Sequence, residues 1–553
     1  MEQIPSFNQY IEDSVIKFWD KDAFTDYKGA TLQYHDVARK IEKLHIMFEN
    51  SGVKCGDKIA LCGRNSSHWA VAFLATLTYG AIAVPVQNEF TPEQIHNIVN
   101  HSESKLLFVG DVVCTQVNPD MMPALEGIVY LPDFSIVISR SEQLTFAREH
   151  LNEIFGKRYP KFFRKEHIHY YKEQSPEELA MINYTSGTTG FSKGVMLPYR
   201  ALWGNIDYVL KCLTPNVKPG SNLVSILPMA HMYGLAVEFL FGFINGCHLY
   251  FLNRMPSPSL IAEAFAKVKP RLIVAVPLVI EKIIRRKVLA EVQTNRMKLL
   301  LNMPIINKKI KQHIRDRIME AFGGNAYEII VGGAPLNQGI EEFLNSVGVP
   351  ITIGYGTTET APLITFANYD NYKIASCGPV VDHMEAKVVS PDPANVPGEL
   401  IAKGMNVMLG YYKNEEATNA VLDKDGWFHT GDLATMAPSG HIYIKGRIKN
   451  MLLGANGQNV YPEEIEDKLN NMPLVGESII IQRDTKLVAL VHPEIEDKEA
   501  MDFDDDDVKG IMDENLKTLN NQLPPFCKIA AIEIQKEEFQ KTAKKSIKRY
   551  LYK

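Results

Sequence analysis

Short, fully apolar runs alternate with stretches at helical spacing through the early part of the chain. GDKIALCG (56–63) is bounded by glycines, residues 67–79 place apolar side chains at the helical period, and AIAVPV (81–86) is a second short run. Residues 91–102 return to the helical period, with Thr91 as N-cap and Glu93 in the first turn, and KLLFVGD (105–111) closes the series. Continuous apolar strands separated by helices predict a parallel sheet covered on both faces. A second series follows: NLVSILP (222–228), an apolar helix from residue 235, CHLYFLN (247–253), a helix over 260–268 and RLIVAVP (271–277). It continues with a long basic helical region over 278–322, EIIVGGAP (328–335), a helix over 338–346 and PITIGYG (350–356).

Beyond Gly378 the pattern changes to short strands and turns, in EAKVVSPDPANVPGELIAKG (385–404) and HIYIKGR (441–447). The last hundred or so residues predict a helix over 462–470, strands in ESIIIQR and KLVALVH, a solvated acidic loop at 502–507 and a helix from 513. The expectation is an α/β protein. Its large N-terminal domain, 1–448, holds two α/β lobes with parallel-rich sheets (about 1–180 and 181–377) and a small β-barrel-like subdomain (378–448). An α+β C-terminal domain, 449–553, follows.

Composition narrows the classes. At about 150 residues per domain, 553 residues are material for three to four domains, and 46% hydrophobic with 22% charged residues is a globular balance. Fifty-nine basic and 65 acidic side chains leave a net charge of −6, so no global basic field points to nucleic acid. Seven cysteines with no C-x-x-C pair indicate a reduced compartment and no zinc site. The N-terminus lacks the basic and apolar regions of a secretory signal. The longest apolar stretch, 70–86, contains Gly80 and Pro85 and is shorter than the ~20 residues a spanning helix needs. A soluble, cytoplasmic protein is expected.

The segment richest in chemistry is YTSGTTGFSKG (184–194). Gly187, Gly190 and Gly194 let backbone N–H groups converge, Thr185, Ser186, Thr188 and Thr189 offer hydroxyl donors, and Lys193 adds a cation. These are the needs of a polyphosphate cradle. It is not a Walker A loop, because the lysine stands three positions after Gly190 and is followed by Gly194. Taken alone, a hydroxyl-rich loop of this kind is more often a surface linker. The apolar MINY before it and VML after it place it between buried elements instead.

This segment resembles the signature loop of the adenylate-forming superfamily, which comprises acyl-CoA synthetases, adenylation domains of peptide synthetases and beetle luciferases. The resemblance continues in order through LPMAHMYG (227–234), VGGAPL (331–336), GYGTTETAP (354–362), GELIAKG (398–404), DGWFHTGDL (425–433), IKGRIKNMLLGANGQNVYPEEIE (444–466) and a lysine-rich final segment. It implies ATP, Mg²⁺ and coenzyme A as cofactors and cosubstrate, and it assigns roles. Glu359 is implied as the Mg²⁺ ligand, Thr358 as partner of the α-phosphate within the Gly356-Thr357-Thr358 turn, and Tyr355 as the ring that stacks on adenine. Gly333, Ala334 and Pro335 are implied as the adenine-side wall, Asp432 as acceptor of the ribose hydroxyls, and Arg447 as the arginine that assists there. Lys449 falls at the hinge about which the small domain swings, carrying the GANGQN loop with Gly454 and Gly457 to the thiol step.

For the catalytic lysine, spacing from Thr542 and from Lys548-Arg549 selects Lys545, with Lys544 in the position where the family usually has glycine. Residues 541–553 hold six Lys/Arg and no acid, which reads equally as a tail attracted to a lipid surface, so peripheral membrane contact is a second expectation. In the family, the position of His231 abuts the carboxylate or acyl pocket. Beside Met229, Met232 and Tyr233 it also reads as a core residue. The apolar helix after it suits the wall of an acyl tunnel or a plain core. KNMLLGANGQNVYPEEIE and VPLVIEKIIRRKV resemble medium- and long-chain fatty acid-CoA ligases, and no carrier or condensation domain follows in the sequence. The expected reaction is carboxylate plus ATP to acyl-AMP, then acyl transfer to CoA. Transfer to an acyl-carrier protein and an inactive nucleotide-binding regulatory homologue are the alternatives.

Overall fold

Ser66 begins the helix Ser67–Tyr79 by accepting from the Trp69 N–H, and Gly80, at φ 85°, ends it. Nearly all of its side chains are buried, and Trp69 stacks on Phe73 with ring centroids 5.4 Å apart. Burial of a side chain such as Phe73 contributes roughly 2–3 kcal/mol. Thr91 caps Pro92–Ser102 as its sequence predicts, in a reciprocal box with Gln94. These elements belong to a computed structural model that describes residues 4–185, 192–254, 256–284, 304–453, 459–483, 486–494, 505–541 and 547–552.

Two large sheets form the body. The first has eight strands in the order Gly410–Tyr411, Lys193–Pro198, Leu179–Thr185, Ile82–Val86, Lys58–Cys62, Ser104–Val109, Gly127–Tyr130 and Ile136–Ser139. The second has seven, in the order Ile351–Ile353, Glu328–Val331, Leu272–Ala275, Asn222–Ser225, His248–Phe251, Asp22–Asp26 and Thr31–Gln33. The central pairings are parallel in both, as continuous apolar strands require. The sheets do not follow the expected consecutive segments 1–180 and 181–377. Phe24 pairs with Leu249 in the second sheet, while Lys193–Pro198 pairs with Leu179–Thr185 in the first. Pairing is decided by which edge a strand can cover, and for Asp22–Asp26 that edge lies far away in sequence.

The β-rich segment is an antiparallel sheet of four strands: Met384–Val389, Gly398–Gly404, Phe428–Met436 and Ile442–Arg447. Toward the C-terminus, Val475–Arg483, Lys486–Pro493 and Ile529–Ile534 form a three-stranded sheet, packed by the helices Pro462–Asn470 and Asp505–Gln522 around a separate core.

Two helices differ from expectation. The apolar helix after residue 234 is a π-helix over Gly234–Leu240 that runs into the α-helix Phe241–Ile244. The last long helix begins at Asp505, not 513, so part of the acidic run opens a helix, where aspartates complement the positive end of the macrodipole. The basic region expected over 278–322 is described as the helices Pro277–Ile284 and Pro304–Ala321, and its middle lies outside the described residues. Among the described residues no helix is long and apolar enough to cross a membrane.

Candidate active site

The carboxyl ends of the parallel strands face a cavity of about 2350 Å³, the place where open α/β sheets bind ligands. Gly332 to Pro335 follow the strand Glu328–Val331, and residues 354–359 follow Ile351–Ile353. The 227–234 segment follows Asn222–Ser225, and Thr185 ends Leu179–Thr185. Thr185, His231, Gly333, Ala334, Pro335, Tyr355, Gly356, Thr357, Thr358, Glu359, Asp432, Arg447 and Lys449, dispersed in sequence, all border this one cavity. Lys193 is not among the residues that line it.

On one side, Gly333 has φ 84°, a left-handed conformation in which a side chain is strained. Opposite lies Asp432, only 4% exposed. The Tyr355 hydroxyl donates to Asp432 Oδ2 at 2.6 Å, and Arg447 Nε lies 3.0 Å from Oδ1. Burial raises the Asp432 pKa from its ordinary value against the pull of Arg447. Burial, then the Asp432 charge, pushes the Tyr355 phenol well up, so it keeps its proton and donates. Each carboxylate oxygen retains a lone pair for a further donor, the need of an acceptor for two vicinal hydroxyls.

On another side the turn Thr358–Thr360 is held by Thr357 N–H, which donates to Thr360 Oγ1 at 3.1 Å and to the Pro362 carbonyl at 2.9 Å. A Cβ on Gly356 would stand 1.7 Å from the Pro362 oxygen, so only glycine fits there. Glu359 Oε1 accepts from the Tyr411 hydroxyl at 2.8 Å. Mg²⁺ is usually held by one or two carboxylates together with phosphates and water. One carboxylate beside a phosphate site therefore fits it, and among the described residues no cluster of three or more His, Cys, Asp or Glu forms a self-sufficient cage. The Lys193 ammonium lies 4.7 Å from the centroid of the Tyr411 ring. Tyr411 was not singled out from the sequence. Its only signal is a tyrosine after Gly410, with no charge to mark it.

The third side is apolar. Val209, Leu213, Met232, Val237, Leu278 and Phe366 line it, with His231 at its border. His231 Nδ1 accepts from the Tyr233 N–H at 3.3 Å. The segment ahead of His231 is held from both sheets. Asn65, after a strand of the first sheet, donates to Ser225 Oγ and the Leu227 carbonyl and accepts from Met229 N–H. Glu238, on the π-helix and 1% exposed, accepts from Ser225 Oγ at 2.8 Å and from Ile226 N–H at 3.0 Å, and burial raises its pKa to about 8. Neither Asn65 nor Glu238 was legible as part of this site.

Ser186, Gly187, Thr188, Thr189, Gly190, Gly454, Gly457, Lys544 and Lys545 lie outside the described residues. Both flanks of the lysine segment are described. Lys541 pairs with Glu477 at 2.7 Å, Arg549 pairs with the buried Glu466, and Lys541 bridges Ile547. Two cations of the basic tail are thus satisfied within the protein. Lys449 is exposed in the short turn Ile448–Asn450, where Asn450 donates to Glu463 at 2.7 Å.

This geometry agrees with the comparisons to known proteins. Residues 11–412 match the AMP-binding enzyme family and residues 449–552 match the AMP-binding enzyme C-terminal domain. The chain belongs to the AMP-binding enzymes, within the adenylate-forming superfamily, and is an acid–thiol ligase; ATP, Mg²⁺ and coenzyme A are the cofactors of this chemistry.

Among its relatives, a long-chain-fatty-acid–CoA ligase of Escherichia coli is 30% identical over 507 residues, covering 86% of this chain and 82% of that protein. A human long-chain-fatty-acid–CoA ligase is 24% identical over 515 residues, covering 87% and 75%. The fold matches that of ATP-bound MatB from Rhodopseudomonas palustris with TM-score 0.75, at 23% identity and covering 99% and 98% of the two chains. It also matches an anthranilate CoA ligase with anthranoyl-AMP, with TM-score 0.78 at 17% identity, covering 99% and 97%.

Proposed function

We propose that the protein activates a medium- or long-chain fatty acid as its acyl-adenylate and transfers the acyl group to coenzyme A. The observation that carries this reading is one cavity with a polar end at Asp432, Thr358 and Glu359 and an apolar end at Val209, Leu213, Val237 and Phe366. In this reading Asp432 takes the ribose, Tyr355 and Gly333 to Pro335 enclose the adenine, Thr358 meets the α-phosphate and Glu359 holds Mg²⁺. Lys545 bridges carboxylate and α-phosphate during adenylation, a step that rests on charge neutralisation and positioning. Residues 449–553 then turn about Lys449 to bring 454–459 to the thiol step.

The test is acid-dependent exchange of labelled pyrophosphate into ATP, with saturated acids from six to eighteen carbons, followed by coenzyme A or an acyl-carrier protein as acceptor. Exchange that peaks at a medium or long chain and turns over with coenzyme A is expected. No exchange with any of these acids would leave the inactive homologue as the better reading.

Peripheral membrane contact belongs to the same reading, because long acids partition into lipid. The observation that favours it is Phe162, 70% exposed, beside the exposed Lys161, Arg164 and Lys165. Phe163 anchors this loop against Trp19 and Phe155. Sedimentation with anionic vesicles that is lost at high salt and in F162D supports the contact; equal recovery of F162D argues against it.

A further inference from the structure

The strand Gly410–Tyr411 is too short to contribute much to its sheet, yet its backbone is tied to several neighbours. Gly410 and Tyr411 pair with Met196 and Val195, the Leu409 N–H donates to Met196, and the Tyr412 N–H donates to the Gly194 carbonyl at 2.7 Å. The Tyr411 N–H donates to Thr418 Oγ1, and the Met408 N–H donates to the Glu359 carbonyl at 2.9 Å. The segment therefore joins the strand that carries Lys193 to the turn that carries Glu359. At its centre the buried Tyr411 side chain serves both: the hydroxyl donates to Glu359 Oε1, and the ring face sits under the Lys193 ammonium.

We propose that Tyr411 is a positioning residue that holds the Glu359 carboxylate, on the cavity wall, in register with the Lys193 ammonium. The hydroxyl holds Oε1 of Glu359, so that the carboxylate would be presented to Mg²⁺ in one orientation, and the ring face holds the Lys193 ammonium beside the same residue. One side chain thus couples the charge that binds Mg²⁺ to the charge that binds ATP. The inference rests on the assignment of Glu359 as metal ligand.

Its test is equilibrium binding of ATP by titration calorimetry, without a carboxylic acid so that no turnover occurs, in the absence and presence of Mg²⁺. Four proteins are compared: wild type, Y411F, Y411L and E359Q. Y411F keeps the ring, so ATP affinity without Mg²⁺ stays within about twofold of wild type. The gain in affinity that Mg²⁺ confers falls about tenfold, the loss expected of one hydrogen bond to a charged acceptor. Y411L removes the ring as well and weakens Mg²⁺-free binding too, by about threefold to tenfold. Y411F with the full Mg²⁺-dependent gain, while E359Q loses it, overturns the role of Tyr411. An E359Q that keeps the full gain removes Glu359 as metal ligand, and the inference falls with it. Retained Mg²⁺-free ATP binding by Y411F separates either outcome from misfolding.

Discussion

Tyr355 and Asp432 are joined by a 2.6 Å hydrogen bond that closes one side of the cavity, and Arg447, the register partner of Asp432 on the next strand, holds the other oxygen. The acceptor is thus aimed from two elements before any ligand arrives. Y355F removes one donor to a buried carboxylate while leaving the ring in place. The KM for ATP is expected to rise about tenfold with a smaller change in kcat. Steady-state kinetics at saturating acid check this, and an unchanged KM would contradict the role of Asp432 at the nucleotide.

K545A is expected to abolish pyrophosphate exchange while leaving thioester formation from supplied acyl-AMP largely intact, because only the first half-reaction needs a cation between carboxylate and α-phosphate. K544A should spare both. Equal loss of the two half-reactions in K545A would remove the case for a turning domain.

In the proposed reading the apolar end of the cavity takes the acyl chain. Val237 is buried in the π-helix and lines that end, so V237W shortens the space available. The chain-length optimum in the exchange assay should move to shorter acids, with exchange on the shortest substrates kept. An unmoved optimum would place the acyl chain elsewhere.

Glu238 gives a pH signature. Burial raises its folded pKa to about 8, so the folded state holds a proton that the unfolded chain, with an ordinary glutamate, releases near pH 4.3. The stability associated with that proton is fully present below about pH 4.3 and is lost as pH rises to about 8. E238Q cannot ionise, so its thermal midpoint should fall less than that of wild type between pH 5 and 8. Parallel curves for the two proteins would show that Glu238 does not titrate there.

How much of this was legible varies with how local the signal is. Thr91 and Glu93 announce their helix because an N-cap and a first-turn acid are written in neighbouring residues. Gly333, Tyr355, Glu359 and Asp432 were singled out through motif order; the first three meet in one cavity because each sits at or near a strand end, and Asp432 joins them from the middle of Phe428–Met436. The π-helix over Gly234–Leu240 was read as an ordinary helix, since a segment buried on every side carries no periodicity to betray its winding. Tyr411, Asn65 and Glu238 escaped because their roles are pairwise and distant. Nothing near Asn65 in sequence indicates Ser225, Leu227 or Met229 as its partners. The strand exchange was hidden for the same reason.

That exchange governs the order in which the chain can be built. Phe24 is synthesised early, but the edge it covers includes Leu249, and Asp22–Asp26 completes the second sheet only after His248–Phe251 has left the ribosome. Until then the hairpin of Asp22–Asp26 with Thr31–Gln33 waits with one edge unpaired. The two lobes therefore cannot mature one after the other as separate translation products. Splitting the gene between them would leave the second half with an open sheet edge and the first with an unsupported hairpin.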